Sequence, residues 1–419
     1  MFRKLDAYKL YIGLQFFNSL FFGMIFVVAS YYEATIAGLS GLQLVLVGTT
    51  VELTILLFEV PTGVVADAYS RRLSIIVGYF IMGLAFMVEG SFPAFVPILL
   101  AQILWGIGYT FTSGATQAWL SDEIGEENAN RAFLRANQFE LAGALVGMLI
   151  AIPLGNIAVN LPIITGGIMV AMIAVALTLF MPEHGFKPTR PEDRNTWQHM
   201  GDIFKKGLNT VRARPTLLAI LGVGLVYGLY SEGWDRLWVK YLVDHFTLPS
   251  VFGMNEVAFF GLLRAGGMVL SILAARIVEK RLDANHAPSV ARYMLVITVL
   301  LSAAILTFAF SPALVISILA VWLVSITRNV MEPLYNAWVN QRLDSDTRAT
   351  VISMSGQVDA IGQVASGPIA GLISLWSIRA AITGASLLLL PALPLIVRTN
   401  SHSANEANAD AEAGPTPAD

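Results

Sequence analysis

Cysteine is absent from the chain, which excludes disulfide frameworks, thiolate nucleophiles and cysteine-ligated metal sites together. Charge is nearly as scarce. Asp, Glu, Lys and Arg account for 13% of the 419 residues, against about 25% in a soluble domain, so there is too little polar side chain to cover a water-facing surface. No G-x-x-x-x-G-K-(S/T) loop is present, so ATP hydrolysis at such a loop does not drive this chain. H-E-x-x-H and the nucleophile elbow are missing too. The five histidines fall in polar loops or in the tail rather than in apolar runs. Gly222-x-Gly224 has neither a preceding strand nor a ribose-binding acid, so it is not a dinucleotide fingerprint. No enzyme active site, cofactor, metal centre or nucleic-acid partner is therefore expected.

The chain does have apolar length. Hydrophobic residues make up 56%, and the mean hydropathy is +0.66. They come in runs of about 20, the length that crosses a ~30 Å hydrocarbon core as a helix. Strands of a membrane barrel would instead alternate in segments of about ten residues. The expected fold class is an all-α membrane protein. Its twelve spans fall at 10–31, 42–66, 73–91, 95–119, 136–158, 161–181, 216–241, 256–278, 291–310, 313–335, 351–372 and 376–397. Turns such as Ser91-Phe92-Pro93 and Ser311-Pro312 separate them. The polar stretch from Pro182 to Pro215, with Trp197, Lys205 and Lys206, divides the spans six and six.

The expected organisation is a six-helix bundle at 1–181, a cytoplasmic linker at 182–215, a second bundle at 216–398 and a disordered tail at 399–419. The tail holds Glu406, Asp410, Glu412 and Asp419 and no base, a composition that does not fold. Arg3 and Lys4 precede an apolar stretch that begins at Leu10 and has no cleavage site, so it reads as the first span rather than a signal peptide. Of the 26 Lys and Arg, all except Arg236, Lys240, Arg264, Arg328 and Arg379 fall in the N-terminus, the loops on one side, the linker or the C-terminal end. The positive-inside rule then places both termini and the linker in the cytoplasm, in a multi-pass inner-membrane protein.

A repeat supports the six-plus-six division. Ala118, Trp119, Gln138, Glu140 and Gly143 recur as Ala337, Trp338, Gln357, Asp359 and Gly362, each shifted by 219 positions. Two similar membrane halves in parallel orientation are a plan of secondary transporters, with the substrate site between the halves.

The loop after the second span reads Gly63-Val-Val-Ala-Asp67-Ala-Tyr-Ser-Arg71-Arg72. It resembles the G-x-x-x-D-(R/K)-x-G-(R/K)-(R/K) signature of the major facilitator superfamily, with Ala68 where a base is usual and Ser70 where glycine is usual. The resemblance implies two six-helix bundles related by a pseudo-twofold axis, with helices 1, 4, 7 and 10 lining the cavity. It also implies a conformational latch in which Asp67 lies near the start of helix 11, around Thr347 to Thr350. On physical grounds Gly63 would allow close helix packing, Asp67 would sit beside a helix N-terminus, and Arg71 and Arg72 would pair with Asp122 and Glu123. Glu59, just before Pro61, would join the same latch. The drug–proton antiporters of this superfamily carry an arginine where this chain has Gln102, four residues before Gly106. They also carry G-x-x-x-G-P, where this chain has Gly143 and Gly147 but no proline until Pro153.

Ionised groups inside a bilayer are costly and tend to face a cavity. Spans six and nine contain none, while three and twelve carry only Glu89 and Arg379, near their ends. Glu52 is the leading proton-coupling candidate, with Glu59 seven residues on, and Glu232 and Asp235 are further ones. Glu232 and Arg236 are four apart, as are Arg328 and Glu332; each pair is either a structural salt bridge or part of a substrate site. Arg264 lies mid-span and needs a carboxylate from another helix or an anionic ligand. The substrate-cavity candidates are Gln15, Asn18, Gln102, Tyr109, Tyr227, Tyr230, Arg264, Arg328, Asn329 and Glu332, with Tyr335 as a further aromatic. Phe16, Phe17, Phe21, Phe22 and Phe26 suit either a lipophilic substrate or lipid contact. Gly143 with Gly147, and Gly367 with Gly371, have the spacing for close helix approach and place spans five and eleven at crowded interfaces between the halves.

The function expected from this reading is export of a small amphiphilic compound, such as a drug, by a monomer in the lipid bilayer, using alternating access coupled to proton entry. The alternative is uptake of an anionic metabolite bound by Arg264 and Arg328.

Overall fold

The computed structural model describes residues 4–188, 211, 215–281, 287–340 and 345–398. Arg3, Trp197, Lys205, Lys206 and the tail acids lie outside the described residues. The elements are α1 (Ala7–Thr35), α2 (Gly41–Ala68), α3 (Arg71–Ser91), α4 (Phe95–Thr112), α5 (Ala115–Ile124), α6 (Glu126–Ile157), α7 (Leu161–Phe180), α8 (Pro215–His245), α9 (Glu256–Arg281), α10 (Ala287–Ala309), α11 (Leu314–Asn340), α12 (Ser345–Trp376) and α13 (Ile378–Leu388). Among the described residues there is no strand, and twelve stretches are long and apolar enough to cross a membrane. This is the all-helical architecture expected.

Short polar residues start the helices. Asp6 caps α1 by accepting from Lys9 N at 3.0 Å. Ser40 and Gln43 form a capping box on α2, and Ser70 caps α3 by accepting from Leu73 N at 2.9 Å. The fourth span is broken at Gly114, whose φ of 68° is left-handed, so α4 and α5 share one crossing. Gly125, with φ 82°, then turns the chain directly into α6. α6 therefore begins at Glu126 rather than at 136, and Glu126 and Glu127 sit in its first turn, where carboxylates complement the helix dipole. α8 runs on to His245, so that histidine belongs to a helix and not to a loop as expected. Its ring stacks on Tyr241 at 4.0 Å.

Contacts divide the chain into two compact units. Among the described residues, the first comprises 4–188, 236–266 and 371–378. Within it α1 packs on α6, α3 on α7 and α4, and α2 on α4. Gly143 and Gly147 make the α1–α6 approach possible: a Cβ on Gly147 would lie 2.0 Å from the Leu20 carbonyl oxygen, and one on Gly143 2.3 Å from that of Phe16. The close approach expected between the halves at this pair is thus made inside the first unit, because α1 is the helix that faces the glycines. At the end where α1 meets α2, Tyr31 Oη donates to Glu256 Oε2 at 3.1 Å and Asn255 Nδ2 to the Gly155 carbonyl at 2.7 Å.

Among the described residues, the second unit comprises 211, 215–235, 267–281, 287–340, 345–370 and 379–398. Its core gathers Ile220, Met294, Val330, Leu334, Trp338 and Ile396. A Cβ on Gly362 would lie 2.6 Å from the Leu225 carbonyl oxygen, so α12 approaches α8 as α6 approaches α1. The repeated glycine has the same task in each unit. The repeated tryptophans, Trp119 and Trp338, are both fully buried.

Candidate functional site

A polar cavity of about 610 Å³ lies within the second unit, lined chiefly by α8, α11 and α12. That size is ordinary for a small-molecule site. Three acids (Asp235, Glu332 and Asp359), one base (Arg328) and three tyrosines (Tyr227, Tyr230 and Tyr335) line it. Arg328 grips Asp235 with both terminal nitrogens, Nη2 to Oδ2 at 2.9 Å and Nη1 to Oδ1. Such a two-pronged bond is among the stronger side-chain contacts. The guanidinium also lies 5.9 Å from the centre of the Tyr230 ring. Arg328 and Glu332, one turn apart, were open to a structural salt bridge or a substrate role; Arg328 turns to Asp235 of α8 instead. Glu332 is exposed.

Asp359 accepts from Gln363 Nε2 at 2.8 Å, one turn along α12. Tyr335 Oη contacts Ser355 Oγ at 2.7 Å and donates to the Ile220 carbonyl at 3.1 Å, while Tyr227 Oη meets Thr298 Oγ1 at 2.9 Å. These bonds fix two of the three rings. With Arg328 engaged by Asp235, the cavity wall holds two further carboxyl groups, Glu332 and Asp359, and no second base.

Tyr227, Tyr230, Asp235, Arg328, Asn329 and Glu332 are therefore brought together from α8 and α11. The other cavity candidates do not line this cavity. Gln15 donates to Tyr11 Oη at 3.2 Å, Asn18 is half-buried on α1, and Tyr109 is exposed on α4. Gln102 is buried against Glu89. Arg264 lies in the first unit with its guanidinium 5.3 Å from the Trp238 ring centre. Glu52 is half-buried on α2 and Glu232 is buried on α8. Sequence reasoning missed Asp359, Gln363 and Asn336 as lining residues. The repeat had already marked Asp359 as the partner of Glu140, and that was the signal available.

The signature loop forms a second polar cluster. Arg71 pairs with Asp122 across α3 and α5, donates to the Ala118 carbonyl at 2.9 Å and lies 3.4 Å from Asp67. Arg72 donates from Nη2 to the Thr178 carbonyl at 2.7 Å. Glu123 does not take an arginine as expected; its Oε1 accepts from Gly185 N at 2.7 Å. The carboxylate missed here is Glu183, which accepts from Arg72 N at 2.9 Å and from Ser70 Oγ. It satisfies backbone and hydroxyl donors at the start of α3 that water would otherwise have to meet. Trp119 Nε1 donates to the Pro182 carbonyl at 2.8 Å, so the first residues after α7 are fastened to this cluster. Gly63 makes no close approach, since a Cβ there would meet nothing within 4 Å. Glu59 is exposed, and no bond among the described residues joins its carboxylate to Arg71 or Arg72. The side chains of Thr347 to Thr350 lie outside the described residues.

Twelve helices among the described residues long and apolar enough to cross a membrane, with a polar cavity within the second unit, fit a multi-pass membrane transporter. The profile of the Major Facilitator Superfamily matches residues 11–291, about two thirds of the chain, so this protein belongs to that superfamily. It is similar to the uncharacterized MFS-type transporter YxaM of Bacillus subtilis (strain 168), 23% identical over 335 residues, 80% of this chain and 81% of the relative. Among solved structures it resembles the nucleoside transporter NupG, with a TM-score of 0.71 and 14% identity over 95% of this chain and 98% of that one. It also resembles a POT family transporter in complex with 5-aminolevulinic acid, with a TM-score of 0.75 and 13% identity over 94% and 96%. At these identities the likeness is one of fold.

Proposed function

We propose that this transporter exports a small amphiphilic compound carrying a positive charge, by alternating access, with protons moving inward in exchange. The supporting observation is the cavity wall of three acids, one already paired arginine and three tyrosines. An acid-rich, partly enclosed cavity attracts cations, and tyrosine faces add cation–π attraction. The competing reading, uptake of an anion held by Arg264 and Arg328, is disfavoured because Arg328 is already neutralised by Asp235. In this reading the bundles at 1–181 and 216–398 rock as a monomer about the linker at 182–215, with the basic end and both termini in the cytoplasm.

Cells expressing the protein should accumulate less of a lipophilic cationic dye than cells without it, and a protonophore should remove the difference. Unchanged dye accumulation, combined with anion uptake that is lost in Arg264→Ala, would overturn the export reading in favour of its rival.

The Arg71 cluster is the proposed latch. Asp67→Asn should leave the fold intact, because Asp67 is 53% exposed and its contact with Arg71 is long, yet it should lower transport several-fold. Transport equal to wild type in reconstituted vesicles would remove Asp67 from the mechanism.

A further inference from the structure

Two carboxylates outside the cavity are taken out of water together. Glu33, in the last turn of α1, is 3% exposed, and Glu89, in the last turn of α3, is 1% exposed. The charge distribution places both toward the outer face. The ionised groups that act on Glu89 are Glu33 and Arg236 of α8, and Arg236 acts on Glu33 as well. Glu232, one turn before Arg236 on α8 and 2% exposed, is a third buried carboxylate on the same helix. The nearby polar groups are otherwise engaged: Tyr32 Oη donates to the Glu89 backbone carbonyl at 3.0 Å, Asn160 at the start of α7 donates to the Gly90 carbonyl at 2.9 Å, and Glu256 of α9 takes the Tyr31 hydroxyl.

Gln102 gives an independent pointer to a ligand. It is 3% exposed, it projects from α4 onto the pair, and its Nε2 donates to Glu89 Oε2 at 2.9 Å. Its other polar atom, Oε1, is buried and has no hydrogen-bond partner among the described residues. An amide can serve either form of a carboxyl group: its NH₂ donates to a carboxylate, and after rotation its oxygen accepts from a carboxylic O–H. Two ionised carboxylates sharing one arginine would leave an uncompensated charge inside the membrane, which costs several kcal/mol. A single proton bound to either carboxyl removes that charge.

We propose that Glu33 and Glu89 form a proton-binding pair: one of the two carboxyls carries a proton, Arg236 offsets the charge of the other, and Gln102 accommodates either protonation state of Glu89. The pair lies near the contacts that tie α1 and α6 to the segment Arg236–Gly266. When those contacts part, water reaches the pair and the proton passes from a carboxyl oxygen to water. This gives the coupling ion a site distinct from Glu52, Glu232 and Asp235. The release step rests on the alternating-access reading; the binding of the proton does not.

Infrared spectra of the full chain in lipid nanodiscs at neutral pH test the binding directly. The carbonyl stretch of a protonated carboxyl should be present in wild type, shift in D₂O, and be lost in both Glu89→Gln and Glu33→Gln. Each substitution removes one ionisable carboxyl from the pair. Arg236→Met should instead enlarge the band, because two carboxyls without a cation hold two protons; a purely structural role for the pair would not produce that gain. Glutamine is nearly isosteric with a protonated glutamate, and two separate glutamine variants guard against one failing to fold. A wild-type spectrum without the band, or a band that both glutamine variants leave unchanged, would overturn the proposal. Loss of dye export with the band intact would count against the export reading alone.

Discussion

Replacing Arg328 by Met should abolish the cation export proposed above and lower the unfolding temperature. Arg328 joins α11 to α8 through Asp235, and its removal leaves Asp235 without its cation beside Glu332 and Asp359. The two side chains are 34% and 39% exposed, so water screens part of the loss. The cost in stability should then be about 1–2 kcal/mol, between that of a surface pair and that of a charge-assisted buried bond. Adding Asp235→Asn to the Arg328→Met background should recover stability without restoring export, and a double-mutant cycle on thermal unfolding measures the coupling. A cycle with no coupling, or an Arg328→Met protein that exports at the wild-type rate, would show that the pair does not organise the cavity. If the anion reading were right, binding of an anion would be lost in the single variant. On the present reading, cation binding by the more acidic cavity survives while turnover stops.

Gly147→Val should be the most damaging single change in the first unit. A Cβ there would lie 2.0 Å from the Leu20 backbone oxygen. A backbone atom cannot swing aside as a side chain can, so α1 and α6 must separate along their length. Overpacking usually costs about 1–3 kcal/mol, and a backbone clash belongs at or above the top of that range. The expected result is poor recovery of folded protein in detergent and no transport. Gly13→Ala is the control. It lies on the same α1, a Cβ there meets nothing within 4 Å, and alanine favours a helix over glycine by about 0.5–1 kcal/mol. It should be neutral or slightly stabilising. Equal behaviour of the two variants in a thermal-unfolding assay would refute the packing argument.

The helical class, the number of spans and most of their positions were legible in the sequence, because each crossing needs about 20 apolar residues whatever its neighbours are. Helix ends were less so. Nothing in local hydropathy says that α6 starts at Glu126, since its first turns are polar and gain from capping and the dipole rather than from lipid. The candidate site was legible in part. Tyr227, Tyr230 and Arg328 follow from the rarity of polar groups in spans, but Asp359 was overlooked although the repeat marked it. Which residues pair was hidden at each cluster. Arg328 takes Asp235 and not Glu332, Glu123 takes the Gly185 backbone and not an arginine, and Glu183 caps α3 from over a hundred residues away. Spacing of i, i+4 identifies neighbours on one helix, whereas these bonds run between helices.

Composition and hydropathy, read along the chain alone, determined that this protein lives in a bilayer as twelve helices carrying few charges, since transfer into lipid is settled segment by segment. Only the tertiary structure decided which of those charges meet. Bringing Asp235 to Arg328, or Asp122 to Arg71, depends on distances between segments far apart in sequence, and an ion pair's strength is fixed by those distances and by how much water remains around it.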